Sequence, residues 1–327
     1  MKKQSNKHNI ITMIVVIVLL AVVVYSIVQI IDLFVPSKNT STDSTSSTKT
    51  VTVKGEKYYP RKDITTFLLM GIDQKGPVQP SMSYNNEGEA DMLALAVFDE
   101  TDKTYNLLLL NRDTMTDVQI LGIAGKPAGT AYQQLALSHT YGKGLEDSCD
   151  NTRDAVSDLL NGITVDYYLS MNMDAIGILT DAVGGVKVTV TDDFSEVDPS
   201  ISMGETTLNG QQAVSFVQTR KDVGNQMNIS RIERHKEFMN GFLDALKTNV
   251  DGSDSFVLKN FDSISDYVVT DSSVNTLNKL FNSYVDYELN EIISPEGENK
   301  KGETYMEFYP DEKFLDELVL ELFYAKK

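Results

Sequence analysis

The 327-residue chain has one cysteine, no tryptophan and six arginines. A single thiol, Cys149, excludes an intramolecular disulfide, so an exported domain of this sequence is held together by packing alone. Positive charge is scarce: 29 basic residues face 47 acidic ones, for a formal net charge of −18. Lys2, Lys3 and Lys7 contribute +3 of that total, so everything from Asp32 onward carries −21. A domain so acidic is repelled by nucleic acid and by anionic membrane surfaces, and no nucleic-acid partner is expected. Several chemistries lack their motifs. There is no P-loop, no GxGxxG after a strand, no HExxH and no GxSxG elbow. Cys149 stands alone in a loop-like segment, which argues against a cysteine nucleophile.

What is present begins with one long apolar run. Ile10 to Ile31 is uncharged for 22 residues. At ~1.5 Å per residue it reaches roughly 33 Å, enough for a hydrocarbon layer of ~30 Å. Lysines precede it and Asp32 follows, which places the N-terminus in the cytoplasm. A cleaved signal peptide has a shorter apolar core and a small-residue cleavage site. This run ends instead in Ile30-Ile31-Asp32-Leu33-Phe34. The expected order is a cytoplasmic tail (1–9), a transmembrane helix (10–35), a Ser/Thr-rich stalk (36–60) and an external domain (61–250). An acidic C-terminal extension (251–327) packs on that domain, and its role is not legible. The stalk reads SKNTSTDSTSSTKTVTV over 37–53 and has no apolar area to bury.

Within the domain, Thr65–Ile72 is a buried strand. Met92–Phe98 and Tyr105–Leu110 form an antiparallel hairpin around a polar stretch. Helices are expected at about 151–160, 174–183, 211–219 and 229–247, and further strands at 167–171, 186–190 and 305–309. Gly184 and Gly185 stop the second helix. Strands alternating with helices, plus a hairpin, predict an α/β fold with a mixed central β-sheet flanked by helices.

Of the six arginines, Arg220, Arg231 and Arg234 fall within fifteen residues. Arginine forks bidentately onto phosphate or carboxylate, so a local cluster in an acidic domain points to an anionic ligand. Arg231, Arg234 and His235 are spaced i, i+3, i+4 and share a helix face, which Phe238 continues by one turn. That face suits a ligand with a charged head and an apolar tail. Surface ion pairs with Glu233 and Glu237 explain the same residues equally well. A second constellation lies at strand ends: Asp73 after the first strand, Asp91 opening the hairpin, and Asn111-Arg112-Asp113 closing it. Carboxylates there can converge at a sheet edge and, with phosphate oxygens, hold a hard cation such as Mg²⁺. Turn chemistry is the plainer reading of each. His139 and Tyr141, in SHTYGKG, add a possible polar pair.

The segments FLLMGIDQKG (67–76), ADMLALAVFDETDKTYNLLLLNRDTM (90–115), LALSHTYGKG (135–144), DAVGGVKVTV (181–190) and LNGQQAVSFVQTRKDVGNQMNISRIERHKEFM (208–239) occur in one order behind an N-terminal anchor. As a set they resemble the LytR-CpsA-Psr family of Gram-positive bacteria, over roughly Ile64 to Lys247. The resemblance implies a membrane-anchored phosphotransferase at the outer face of the cell membrane. Its reaction moves a glycopolymer, such as teichoic acid or capsule, from a polyprenyl-diphosphate carrier to peptidoglycan. It further implies that Asp73 and Asp91 bind Mg²⁺, and that Arg112, Arg220 and Arg231 bind the diphosphate. Arg234 and His235, in the same motif, join the diphosphate-binding set, Arg112 and Asp113 are the implied catalytic pair, with Asp113 helping to activate the acceptor hydroxyl, and the lipid occupies an apolar tunnel between sheet and helices.

The chain departs from the family pattern in three places. Glu89-Ala90-Asp91 stands for Arg-Ser-Asp, and Gln218-Thr219-Arg220 for Arg-x-Arg. Arg234-His235-Lys236 stands for Arg-Gln-Gln or Arg-Gln-Arg. A competing expectation follows: a tethered, non-catalytic or regulatory protein that binds polyprenyl-phosphate lipids without turnover.

Overall fold

A computed structural model describes residues 50–219, 223, 228–249, 256–303 and 305–326. The expected membrane helix, the stalk up to residue 49, Arg220 and Lys221 lie outside the described residues. Among those described, no helix is long and apolar enough to cross a membrane.

Two short strands, β1 (Val51–Val53) and β2 (Glu56–Pro60), lead into β3 (Ile64–Ile72), β4 (Ala90–Asp99) and β5 (Thr104–Leu110). The hairpin β6 (Met115–Leu121) and β7 (Pro127–Gln134) precedes α1 (Glu146–Leu159), β8 (Tyr167–Asn172), α2 (Met173–Ala182) and β9 (Val186–Val190). Next come β10 (Gly204–Leu208), α3 (Gly210–Gln218), α4 (Asn228–Asn249) and α5 (Phe256–Ile264). The C-terminal part holds β11 (Val268–Thr270), α6 (Val274–Tyr284), β12 (Glu288–Ile293) and the hairpin β13 (Gly297–Lys301) and β14 (Met306–Pro310). It ends in α7 (Glu312–Phe323) and β15 (Tyr324–Lys326).

The central sheet has six strands in the order β11-β8-β3-β4-β5-β12. It is mixed, as the alternation of elements predicts. β3, β4 and β5 run antiparallel, while β8 lies parallel to β3 and β12 parallel to β5. Both edge strands, β11 and β12, come from the segment after Asn249 whose role the sequence leaves open. Helix α1 starts five residues ahead of the expected 151, at Glu146. Its first turns bury Ser148, Cys149, Asn151 and Thr152, and those residues carry no apolar stripe for periodicity to find. Helix α3 opens with a capping box. The Asn209 side chain accepts from the Gln212 N–H, and the Gln212 side chain accepts from the Asn209 N–H, both at 3.0 Å.

Strand alternation gives the sheet two apolar faces. Leu68, Met70, Ile72, Leu93 and Leu95 point to a core closed by α1 and α7, through residues such as Val156, Leu318 and Leu322. Each such leucine contributes about 1.5–3 kcal/mol when fully buried. Phe67, Leu69 and Gly71 point the other way, toward α2, α4, α5 and α6.

The alternation breaks once in the β3–β4 pair. Gly71 pairs with Met92 but Ile72 pairs with Ala90, so Asp91 is the extra residue of a β-bulge. Strict alternation would send Asp91 to the core with Leu93. The bulge turns it to the helix-covered face beside Met92. Glycine at 71 permits this approach, because a Cβ there would lie 3.1 Å from the Met92 Cβ.

Candidate functional site

The site forms where β3, β4 and β5 meet the loops around Glu89 and Arg112. Asn111 makes the turn after β5. Its side-chain oxygen accepts from the Asp113 N–H and its carbonyl from the Thr114 N–H, both at 3.0 Å. Asn111 thus supplies the turn chemistry, and Arg112 and Asp113 are held for other contacts. The Arg112 carbonyl accepts from the Ala136 N–H at 3.0 Å and the Asp113 carbonyl from the Phe308 N–H at 2.8 Å. Gln134 Nε2 donates to Asp113 Oδ1 at 3.0 Å.

Asp91 is the centre of a buried ion cluster. Arg112 Nη1 donates to its Oδ1, and Arg231 Nη1 donates to its Oδ2 at 2.8 Å. Arg112 Nη2 donates to Glu89. Arg112 Nε lies 3.3 Å from Asp113 Oδ1, an ion-pair distance, yet makes no hydrogen bond. Arg231 is 2 % exposed, Arg112 5 % and Asp91 6 %. Charges this deep are stable only when paired, and removing one partner strands the others at a cost of about 3–5 kcal/mol. Among the described residues, two guanidiniums face three carboxylates.

The helix face expected to carry Arg231, Arg234 and His235 together divides. Arg231 reaches Asp91, whereas Arg234 turns to the end of α3. It donates to the Phe216 carbonyl at 3.0 Å, to the Thr219 carbonyl, and to Asp192 at 2.6 Å. His235 Nε2 donates to the Val217 carbonyl at 3.0 Å. The physical reason is the unsatisfied carbonyls at a helix C-terminus, which draw cationic and N–H-bearing side chains. Arg234 and His235 therefore hold the stretch that leads to residue 220. Asp73 is exposed and accepts from Gln218 Nε2 at 2.8 Å.

His139 and Tyr141 do not pair. The Tyr141 hydroxyl donates to Gln133 at 3.2 Å, while His139 Nδ1 donates to the Gly88 carbonyl at 2.9 Å. That fixes the tautomer: Nε2 carries the lone pair and faces the Cys149 thiol at 3.8 Å. Asn86 completes the network, donating to the His139 carbonyl at 2.7 Å and accepting from the Gly88 N–H at 2.7 Å. Burial pushes His139 down to about 4 and the Cys149 thiol well above its usual range. At neutral pH the imidazole is therefore uncharged and the thiol protonated. Together they anchor the loop that delivers Glu89 and Asp91. Nothing in SHTYGKG marks this histidine as buried.

The cluster closes one end of an apolar cavity of about 400 Å³ between the sheet and α2, α4, α5 and α6. The cavity runs along β3 and β4 from Thr65 and Phe98 to Gly71 and Asp91. Phe238, Phe242 and Phe281 line its helical side. Among the described residues, no group of three or more His, Cys, Asp or Glu side chains converges as a metal site. Asp73 and Asp91 do fit Mg²⁺ in donor type. Both offer hard carboxylate oxygens.

The fold and site define an α/β protein with a buried arginine–carboxylate cluster at one end of an apolar cavity. The chain belongs to the LytR_cpsA_psr family, written here LytR-CpsA-Psr, whose profile matches residues 28–322. It is similar to the polyisoprenyl-teichoic acid–peptidoglycan teichoic acid transferase TagU of Bacillus subtilis (strain 168), at 27% identity over 184 residues. That match covers 56% of this chain and 53% of the relative, so it spans about half the relative's length. The TagU transferase of Enterococcus faecalis (strain ATCC 700802 / V583) is 28% identical over 247 residues, 75% of this chain and 73% of that protein. The solved structure of TagT bound to LI-WTA aligns with a TM-score of 0.61 at 25% identity, over 80% of this chain and 90% of that one.

Proposed function

We propose that this chain is a membrane-anchored phosphotransferase that moves a glycopolymer from a polyprenyl-diphosphate carrier to peptidoglycan at the outer face of the membrane. The observation that carries the reading is the buried Arg112–Asp91–Arg231 cluster closing an apolar cavity. Transferases named for teichoic acid and peptidoglycan among the relatives support the same reaction class. Residues 10–35 are the anchor, with the N-terminus cytoplasmic. Protease added to wall-less cells is expected to release a fragment beginning within 36–60, and a protected C-terminal domain would refute that orientation.

In the reaction, the acceptor hydroxyl oxygen forms a bond to the phosphorus that carries the glycopolymer. The bond from that phosphorus to the bridging oxygen breaks, and polyprenyl phosphate leaves with the electron pair. Arg112 and Arg231 bind the diphosphate oxygens as charge builds on the leaving group. Arg220 adds a third guanidinium. Asp113, oriented by Gln134, takes the hydroxyl proton. Asp73 and Asp91 would hold Mg²⁺, which would neutralise phosphate charge when bound.

A second reading, a lipid-diphosphate binder without turnover, rests on Glu89 and Gln218. They occupy positions where the family carries arginine, and they engage Arg112 and Asp73 instead. Calorimetric titration of a short-chain polyprenyl diphosphate tests the binding step common to both. Charge-assisted Arg–phosphate bonds contribute about 1.5–3 kcal/mol, so Arg231→Ala is expected to weaken binding by roughly ten- to a hundredfold. Arg231→Lys recovers part of the loss. Equal affinity in all three proteins would leave both readings without their site.

A further inference from the structure

A second cleft adjoins the ion cluster at the start of α4. Its volume is about 740 Å³, inside the range of roughly 300–1,000 Å³ typical of ligand clefts. The walls come from the end of β5, the start of α4, the segment 294–296 and the β13–β14 hairpin. Leu109 and Ile232 belong both to this cleft and to a small recess lined by Asp91, Arg112 and His235, so the cleft leads to the cluster. The β13–β14 hairpin is fastened to the catalytic turn. The Phe308 N–H donates to the Asp113 carbonyl at 2.8 Å, and Gln134 bridges Asp113 to the Met306 carbonyl at 2.7 Å. No described residue of the hairpin lines the apolar cavity, and Leu109 borders both spaces. A ligand in the cleft and a lipid in the cavity therefore leave the cluster by different routes.

We propose that this cleft binds an uncharged, hydroxyl-rich saccharide and presents one of its hydroxyls beside Arg112 and Asp113. Its walls combine the ring-bearing Phe308 and Tyr309 with the amides of Asn111 and Asn299. Rings pack on sugar C–H faces, and amides donate to and accept from hydroxyls. The Ser294 hydroxyl, in the same wall, is buried and has no hydrogen-bond partner. Charge then decides which saccharide fits. Glu233, Glu296, Glu298 and Asp311 line the cleft, and Lys236 and Lys300 pair with Glu233 and Glu298 at 3.1 Å each, so among the described residues four carboxylates face two ammonium groups. Carboxylates accept from hydroxyls but repel phosphates. A phosphate-rich polymer, the donor's cargo, is excluded, and a neutral glycan, the acceptor, is admitted. Naming the occupant as the acceptor rests on the transferase reading. The saccharide site itself does not.

The test uses the full chain in detergent with two probes, chitotetraose as a neutral N-acetylated saccharide and a glycerol-phosphate oligomer as an anionic one. Asn299 is exposed on β13, and Asn299→Trp fills the cleft from a surface position. Glu298→Lys reverses one rim charge and guards against a folding artefact in the first variant, and thermal melting monitors both. Saturation-transfer NMR is expected to show chitotetraose binding to wild type and at least tenfold weaker binding to Asn299→Trp. Polyprenyl-diphosphate affinity should stay within twofold. The glycerol-phosphate oligomer should bind more weakly than chitotetraose to wild type and should gain affinity in Glu298→Lys. Chitotetraose binding without any transfer activity would sink the transferase reading and leave the saccharide site standing. Chitotetraose affinity unchanged by Asn299→Trp, or a preference of wild type for the anionic oligomer, overturns the proposal even where transfer is observed.

Discussion

On one face of the central sheet, Leu68, Leu95 and Leu108 are each 0 % exposed beneath α1 and α7. On the other, Leu69, Leu107 and Leu169 line a cavity of about 400 Å³ beneath α4, α5 and α6. The side chains are alike, and what differs is the roof. On the filled face, α1 and α7 bring Val156, Leu318 and Leu322 against the strands. On the hollow face, bulky phenylalanines of α4, α5 and α6 hold the helices off the strands. The buried polar groups divide in the same way. Asn86, His139, Ser148 and Cys149 on the filled side form a neutral network, while Asp91, Arg112 and Arg231 at the end of the hollow side are charged. A cavity forgoes packing contacts and buried charges cost desolvation, so each lowers folding stability relative to a filled, neutral core.

The largest expected effect separates the two faces. Leu95→Ala should destabilise the protein by about 2–5 kcal/mol, as deletion of a packed leucine does. Leu169→Ala, beside the cavity, should cost about 1 kcal/mol, because fewer contacts are lost. Chemical denaturation measures both, and equal costs would mean that the hollow face is packed as tightly as the core. The next effect belongs to the neutral network. Folded His139 stays unprotonated down to about pH 4, whereas the unfolded chain titrates near 6.5. Between those values the unfolded state binds the extra proton. The stabilisation is therefore complete above about pH 6.5 and declines by roughly 3 kcal/mol as pH falls toward 4. Urea midpoints across that window should show the decline in wild type and a flatter profile in His139→Gln.

Much of this arrangement is legible in the sequence. Apolar runs separated by polar turns give β3, β4 and β5, and the spacing of Ala213, Phe216 and Val217 gives α3. Other parts leave no such trace. β12 reads ELNEII and β11 has three residues, so neither shows strand periodicity, and only pairing with β5 and β8 makes them the sheet's edges. The aspartate at 91 is singled out by its place at a strand end. The bulge that turns it onto the hollow face depends on how Gly71 meets Met92, which is a tertiary contact. Helical spacing places Arg231 and Arg234 on one face, but it carries no information about the open carbonyls of α3 that draw Arg234 away.

Two smaller effects sharpen the contrast between the faces. Ala96 lies on the hollow side and Val97 next to it on the filled side. Ala96→Phe should reduce polyprenyl-lipid affinity tenfold or more with little change in melting temperature. Val97→Phe should cost about 1–3 kcal/mol by overpacking and leave lipid affinity alone. Fluorescent-lipid titration and thermal melting read the pair. The smallest effect concerns Glu89, whose side chain is 37% exposed where it pairs with Arg112. Glu89→Gln removes a carboxylate that competes with phosphate, and solvent screening limits the gain in diphosphate affinity to under about 1 kcal/mol, roughly fivefold. A loss of affinity in the same titration would mean that Glu89 helps to hold the ligand or its cation.

The most direct test of the account is the transfer itself. The purified chain is incubated with a polyprenyl-diphosphate oligosaccharide, Mg²⁺ and peptidoglycan fragments, and the products are weighed by mass spectrometry. The account predicts fragments heavier by one glycosyl phosphate, formed together with polyprenyl monophosphate, and no such product from Arg231→Ala or Asp91→Asn. Bound lipid with no transferred glycosyl phosphate in wild type, or undiminished product from either variant, would contradict it.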